Sequence, residues 1–159
     1  MNNIFSVIGF DSIIKIFTIV SLIVMGYVDI KKKSISIWML SLFLCISIVL
    51  ESVNILCFNK TIMIENYILI LVFTCILSLV AYLTRCLGLA DCIIVFSIMI
   101  MHDFFVGLVL LFVSSLIAAV FVIIGLCLKK ISKKGSIPFI PFLCVSSIII
   151  FTLEWSMLL

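Results

Sequence analysis

Long apolar runs broken by short polar or basic stretches dominate this chain from near its start to its end. A helix crossing a bilayer needs about 20 predominantly apolar residues, within a range of about 17–25. On that measure the pattern predicts six helical spans. The first runs from Ser12 to Val28 and stops at Asp29. The second runs from Ile37 to Phe58, with Glu51 towards one end, and the third from Ile64 to Leu83. A short fourth span covers Leu87 to Met101 and ends at His102-Asp103; a long fifth covers Phe104 to Leu128, and a sixth Pro138 to Leu153. A transmembrane strand would alternate apolar and polar positions, and these runs are apolar throughout.

Composition turns that pattern into a class. The chain is 67% hydrophobic and 11% charged, with a mean hydropathy of +1.60. Soluble domains average about 45–50% apolar and about 25% charged. A chain of 159 residues leaves too much surface exposed to hide such a composition from water. The expected fold is all-α: a polytopic membrane protein of six transmembrane helices, forming one membrane-embedded domain over residues 1–159.

Charge then orients it. Eight of the ten basic residues fall after odd-numbered spans: Lys31 to Lys33, Arg85, and the "KKISKK" cluster from Lys129 to Lys134. The positive-inside rule makes that side cytoplasmic and puts the amino terminus outside. Lys60 falls in an outer loop, and Lys15, near the outer end of span one, is placed to snorkel to the interface. Basic residues confined to short clusters exclude the continuous basic face of a nucleic-acid binder; the lysine clusters read as anchors facing anionic lipid of the bilayer. None of the seven cysteines forms a CxxC pair, so neither a disulfide framework nor a metal site is indicated. His102 and Asp103 read as a polar hairpin turn, since a metal site needs three or four ligands. The start of the chain lacks the basic region of a cleavable signal peptide.

The predicted topology gives Asp29 and Asp91 a shared address. Asp29 closes span one and Asp91 opens span four, both at the basic side, 62 positions apart. Asp11, Glu51, Glu65, Asp103 and Glu154 map to the other side or to the outer halves of spans. Two neighbouring carboxyls do not ionise together easily and can share one proton. One then acts as base towards a water while the other polarises a peptide carbonyl, which hydrolyses an amide with neither metal nor other cofactor. A plainer reading stands beside this one: an aspartate at a span boundary is often a solvated helix end, and Asp91 suits a helix N-terminus. Pro138 and Pro141, in "GSIPFIPF", suit the start of span six, where a missing N–H costs little.

Three local sequences add a resemblance. "YVDIKKKSISIWML" resembles the first aspartate motif of the prepilin peptidases, "GLADCIIV" is similar to their Gly-x-Gly-Asp motif, and "SIPFIPFLCVSSIII" resembles the segment opening their last span. The motifs stand in the family's order and cover about Ser21 to Ile150. The resemblance implies a membrane-embedded aspartic endopeptidase of the type IV pilus and archaellum systems. Such an enzyme removes a short basic leader from prepilin-like proteins at the cytoplasmic face of the cell membrane. It implies Asp29 and Asp91 as the catalytic pair and Gly88 as the first glycine of the second motif. Gly88, Pro138 and Pro141 are then the candidate substrate-contacting residues, with the prolines walling the site and guiding the substrate helix. The chain departs from the family at Ala90 for the second glycine, at Ile93 for a lysine, and at Ser36 and Ile37 for a Pro-Asn pair. It also lacks the cysteine-bearing segment of the longer members, which suggests the short type without methyl transfer. The rival reading is a non-enzymatic membrane component, a small transporter or assembly subunit, or an inactive relative of the peptidases.

Overall fold

The structure, a computed structural model, describes residues 2–32, 35–58, 63–84, 88–128 and 138–158. Lys33, Lys60, Arg85, the turn before Gly88 and the Lys129–Lys134 cluster lie outside them. Among the described residues there are six helices and no strand: α1 (Asn2–Lys32), α2 (Ile37–Phe58), α3 (Ile64–Thr84), α4 (Leu89–His102), α5 (Phe104–Cys127) and α6 (Ile140–Leu158). The protein is a polytopic helical membrane protein. Large apolar side chains lie exposed along all six helices, among them Val24, Leu42, Leu71, Phe112, Phe121 and Leu153. Such a surface suits lipid and is untenable in water.

The helix boundaries follow local chemistry. The carbonyl of Ser36 accepts the N–H groups of Met39 and Leu40 and so starts α2. Glu65 stands in the first turn of α3, where a carboxylate complements the helix dipole. Hydroxyls that fall within the apolar stretches bond back to their own helix. Ser47 donates to the carbonyl of Phe43 at 2.7 Å, Ser97 to Ile93 at 2.9 Å and Ser147 to Cys144 at 2.8 Å. Each donor is thereby satisfied where no water is at hand.

Two expectations need correction. Helix α1 begins ten residues before the predicted Ser12, because Asp11 does not interrupt it: Lys15, one turn on, pairs with that carboxylate at 3.5 Å. Lys15 also does not snorkel outward. Its side chain is 5% exposed and its Nζ lies 3.0 Å from a carboxylate oxygen of Glu154. Packing of α6 on α1 carries that acid across, and an ion pair inside the bundle replaces the interface as the partner of the ammonium.

Four helices, α1, α2, α3 and α5, have stretches long and apolar enough to cross a membrane. Helices α4 and α6 are shorter in their apolar stretches. With 14 residues, α4 rises only about 21 Å, well short of the roughly 30 Å hydrocarbon core. It is the most enclosed element: Cys92, Ile94, Val95, Ser97, Ile98, Met99, Met101 and His102 are all buried. It packs chiefly on α2, α3 and α5, while α6 packs on α1 and α5.

A single residue, Asp103, turns α4 into α5, and its φ of 88° and ψ of 158° lie in a sparsely populated region that costs about 1–3 kcal/mol. The tight reversal presses the two helices together. A Cβ on Gly107 would run into the Met99 side chain and stand 3.3 Å from the Met99 Cα. Gly107→Leu is therefore expected to destabilise the protein by about 1–3 kcal/mol through overpacking. Gly9→Leu, where a Cβ meets nothing within 4 Å, should leave stability unchanged; thermal unfolding of both variants in detergent checks the contrast.

Candidate active site

Asp29 lies three residues before the end of α1 and is 8% exposed. Its carboxylate accepts a hydrogen bond from the backbone N–H of Ile140, the first residue of α6. The first N–H groups of a helix have no partner within it, and their dipoles favour an anion. Close approach of the two helices makes this bond possible. A Cβ on Gly26, one turn before Asp29, would stand 3.6 Å from both the Cα and the N of Pro141, so the bare glycine lets the proline lie against α1. Pro141 itself has no N–H to leave unsatisfied in that first turn.

Asp91 is the third residue of α4 and half-buried. The Gly88 N–H donates to its Oδ2 at 3.2 Å, while the Asp91 N–H donates to the Gly88 carbonyl at 3.0 Å. The arrangement is a capping box with the N-cap side chain missing. With φ of −74°, Gly88 is not needed for its conformational freedom. What matters is room: a Cβ there would come within 3.3 Å of Asp91 Oδ2. Asp91 is a carboxylate at the start of a helix. The two carboxyls are close enough to interact electrostatically.

Of the other candidates, Pro141 packs on α1 beside Asp29. Pro138 points elsewhere. With Phe139 and Phe142 it lines an apolar groove of about 600 Å³ between α3, α5 and α6, whose floor includes Ser115 and Ala119. Two features escape the sequence reading. Gly26 was visible as a small residue one turn before Asp29, but its partner was not. The Ile140 N–H carries no sequence signal, because every residue but proline has one.

The opposite end of the bundle is also more than a turn. His102 is buried, its ring 4.8 Å from that of Phe151, and its Nε2 lies 2.9 Å from Thr18 Oγ1. Since the Thr18 hydroxyl donates to the Ile14 carbonyl at 2.9 Å, the histidine nitrogen is the donor to Thr18. Nearby, Tyr67 donates to buried Glu51 at 2.7 Å and Asn66 to Asp103 at 3.2 Å. At this end Glu154 meets Lys15, Glu51 meets Tyr67 and Asp103 meets Asn66; at the other, the charge of Asp29 acts on Asp91. Among the described residues no three or more His, Cys, Asp or Glu side chains converge.

Asp29 and Asp91 thus come from separate helices, and each has a backbone donor beside it. In a variant with its native cysteines replaced by serine, Asp29→Cys with Asp91→Cys should be joined by a short bismaleimide. Asp29→Cys with Asp103→Cys, at opposite ends of the bundle, should not. Mass spectrometry of the digested protein reads the crosslink, and its absence from the first pair would separate the two positions. Comparisons with protein-family models, with curated proteins and with solved structures give no significant match to this chain.

Proposed function

We propose that this protein is a membrane-embedded aspartic endopeptidase that cleaves the leader from prepilin-like proteins at the cytoplasmic face of the cell membrane. The observation that supports this reading is that Asp29 and Asp91, from two different helices of an apolar bundle, lie near enough for the charge of one to act on the other. Bringing like charges together there is costly unless chemistry uses them. The motif resemblance supplies the substrate class, and the lysines beside Asp29 supply the face.

In this mechanism the apolar helix of the substrate stays in the bilayer while its leader meets the two aspartates at the membrane boundary. One carboxylate takes a proton from water as the other, protonated, donates to the scissile carbonyl. The dyad titrates as a unit, so neither aspartate is assigned as base. Each is held by one backbone donor, Asp29 by the Ile140 N–H and Asp91 by the Gly88 N–H. Gly88 supports the site by leaving space for the Asp91 carboxylate, and Pro141 by letting α6 deliver the Ile140 donor. Both act as positioning residues in this account.

A second reading has its own observation. Buried Lys15, Glu51 and His102 in the other half of the bundle suit a membrane component that carries protons or a solute. Co-expression with prepilin-like proteins from the same genome separates the two. Leader removal, read on gels and by mass spectrometry, is expected with the wild type. It should fall by at least about 100-fold, the lower bound for losing a positioned acid or base, in Asp29→Asn and in Asp91→Asn. Cleavage that survives either substitution removes that aspartate from the mechanism. Failure to cleave any candidate by a folded, inserted protein favours the non-enzymatic component.

A further inference from the structure

Helices α1 and α2 meet only lightly along their length, and a groove of about 310 Å³ runs between them. It is lined by Phe17, Val20, Val24 and Met25 on one side and by Trp38 and Leu42 among those on the other. Its walls are apolar and it opens to the bilayer side of the bundle. From Phe17 to Met25 the groove follows about 12 Å of α1. Its apolar lining suits an alkyl chain laid along the helix.

What lies at its mouth decides which lipid. The α1 positions lining the groove recur at helical spacing, and the same face continues seven residues on from Val24 and Met25 to Lys31 and Lys32. Both lysines are exposed in the last turn of α1. The Lys31 ammonium sits 4.9 Å from the centre of the Tyr27 ring, which fixes it near the helix. Trp38, 84% exposed at the start of α2, marks the depth at which aromatic rings meet headgroups. Asp29, the nearest acid, is buried and turned to the α6 side by its bond to the Ile140 N–H, so its charge is not presented to this mouth.

We propose that the α1–α2 groove binds one anionic phospholipid, with an acyl chain along the groove and the phosphate against Lys31 and Lys32. The chain supplies burial, and the lysines supply selection for negative charge. This site is independent of the peptidase reading and stands or falls separately from it.

The test is native mass spectrometry of the full chain in neutral detergent, titrated with phosphatidylglycerol or with phosphatidylcholine carrying the same acyl chains. Wild-type protein should retain one phosphatidylglycerol with about tenfold or greater preference over phosphatidylcholine, as two lysines near a headgroup would give. The double variant Lys31→Gln/Lys32→Gln should lose the preference but keep weak retention of both lipids. Val24→Trp, at a half-exposed position where folding tolerates bulk, should fill the groove and lose retention of both, with helical content by circular dichroism unchanged. Glycerol phosphate, which has no acyl chain, should not be retained. Equal retention of the two lipids by the wild type would overturn the proposal, as would a preference that survives the lysine substitutions. Retention unaffected by Val24→Trp would place the lipid elsewhere and overturn it too.

Discussion

The rest of the architecture depends on the short, enclosed helix α4, which packs on α2, α3 and α5 and reaches polar groups of α1 at its two ends. The charge of Asp29 acts on Asp91 at one end, and Thr18 lies 2.9 Å from His102 at the other. These places are eleven residues apart on both helices, about 16 Å at the α-helical rise. Because α4 is nearly enclosed by its neighbours, its ionisable acid and base lie at its ends, and Ser97 between them bonds back to its own helix. Every acid or base it carries is therefore either at the Asp91 end or at the His102 end.

Those two ends differ in kind. Around His102 the polar groups are matched: a histidine to a threonine, a tyrosine to Glu51, an asparagine to Asp103, and buried Lys15 to Glu154 across the helix pair. Hydrogen-bonded or ion-paired groups in an apolar bundle hold helices in register. At the Asp29 end the charge of Asp29 acts on Asp91, and among the described residues the backbone N–H groups of Gly88 and Ile140 donate to the two carboxyls. A hydrogen bond to a charged group contributes about 1.5–3 kcal/mol. One end thus ties the helices through polar pairs, and the other brings two acids to helix ends.

Glycine spacing lets these contacts form. Gly26 admits Pro141, so α6 reaches Asp29 with its first N–H; Gly107 admits Met99, so α5 can fold back on α4 after one residue of turn. Gly88 leaves the Asp91 carboxylate in place. The side of α1 with Thr18, Gly26 and Asp29 turns to the bundle, while the side with Val20 and Val24 lines the apolar groove against α2.

The helices were legible because apolar runs of span length leave the backbone no alternative to internal hydrogen bonds. Helix α2 occupies the predicted Ile37–Phe58, and α3, α4 and α5 begin or end within two residues of the expected positions. The reading failed where a polar residue had a partner distant in sequence. Lys15 looked destined for the interface and His102 looked like part of a turn, because Glu154, Thr18 and Phe151 are not their neighbours along the chain. The sequence by itself determined the membrane class, the helix positions and which two aspartates share an end, since hydropathy and charge order are local properties. Only the tertiary structure decided that Thr18 reaches His102, that Gly26 meets Pro141, and that the Ile140 N–H donates to Asp29. Those outcomes are set by how helix surfaces pack, and packing depends on shape in three dimensions that no single stretch of sequence contains.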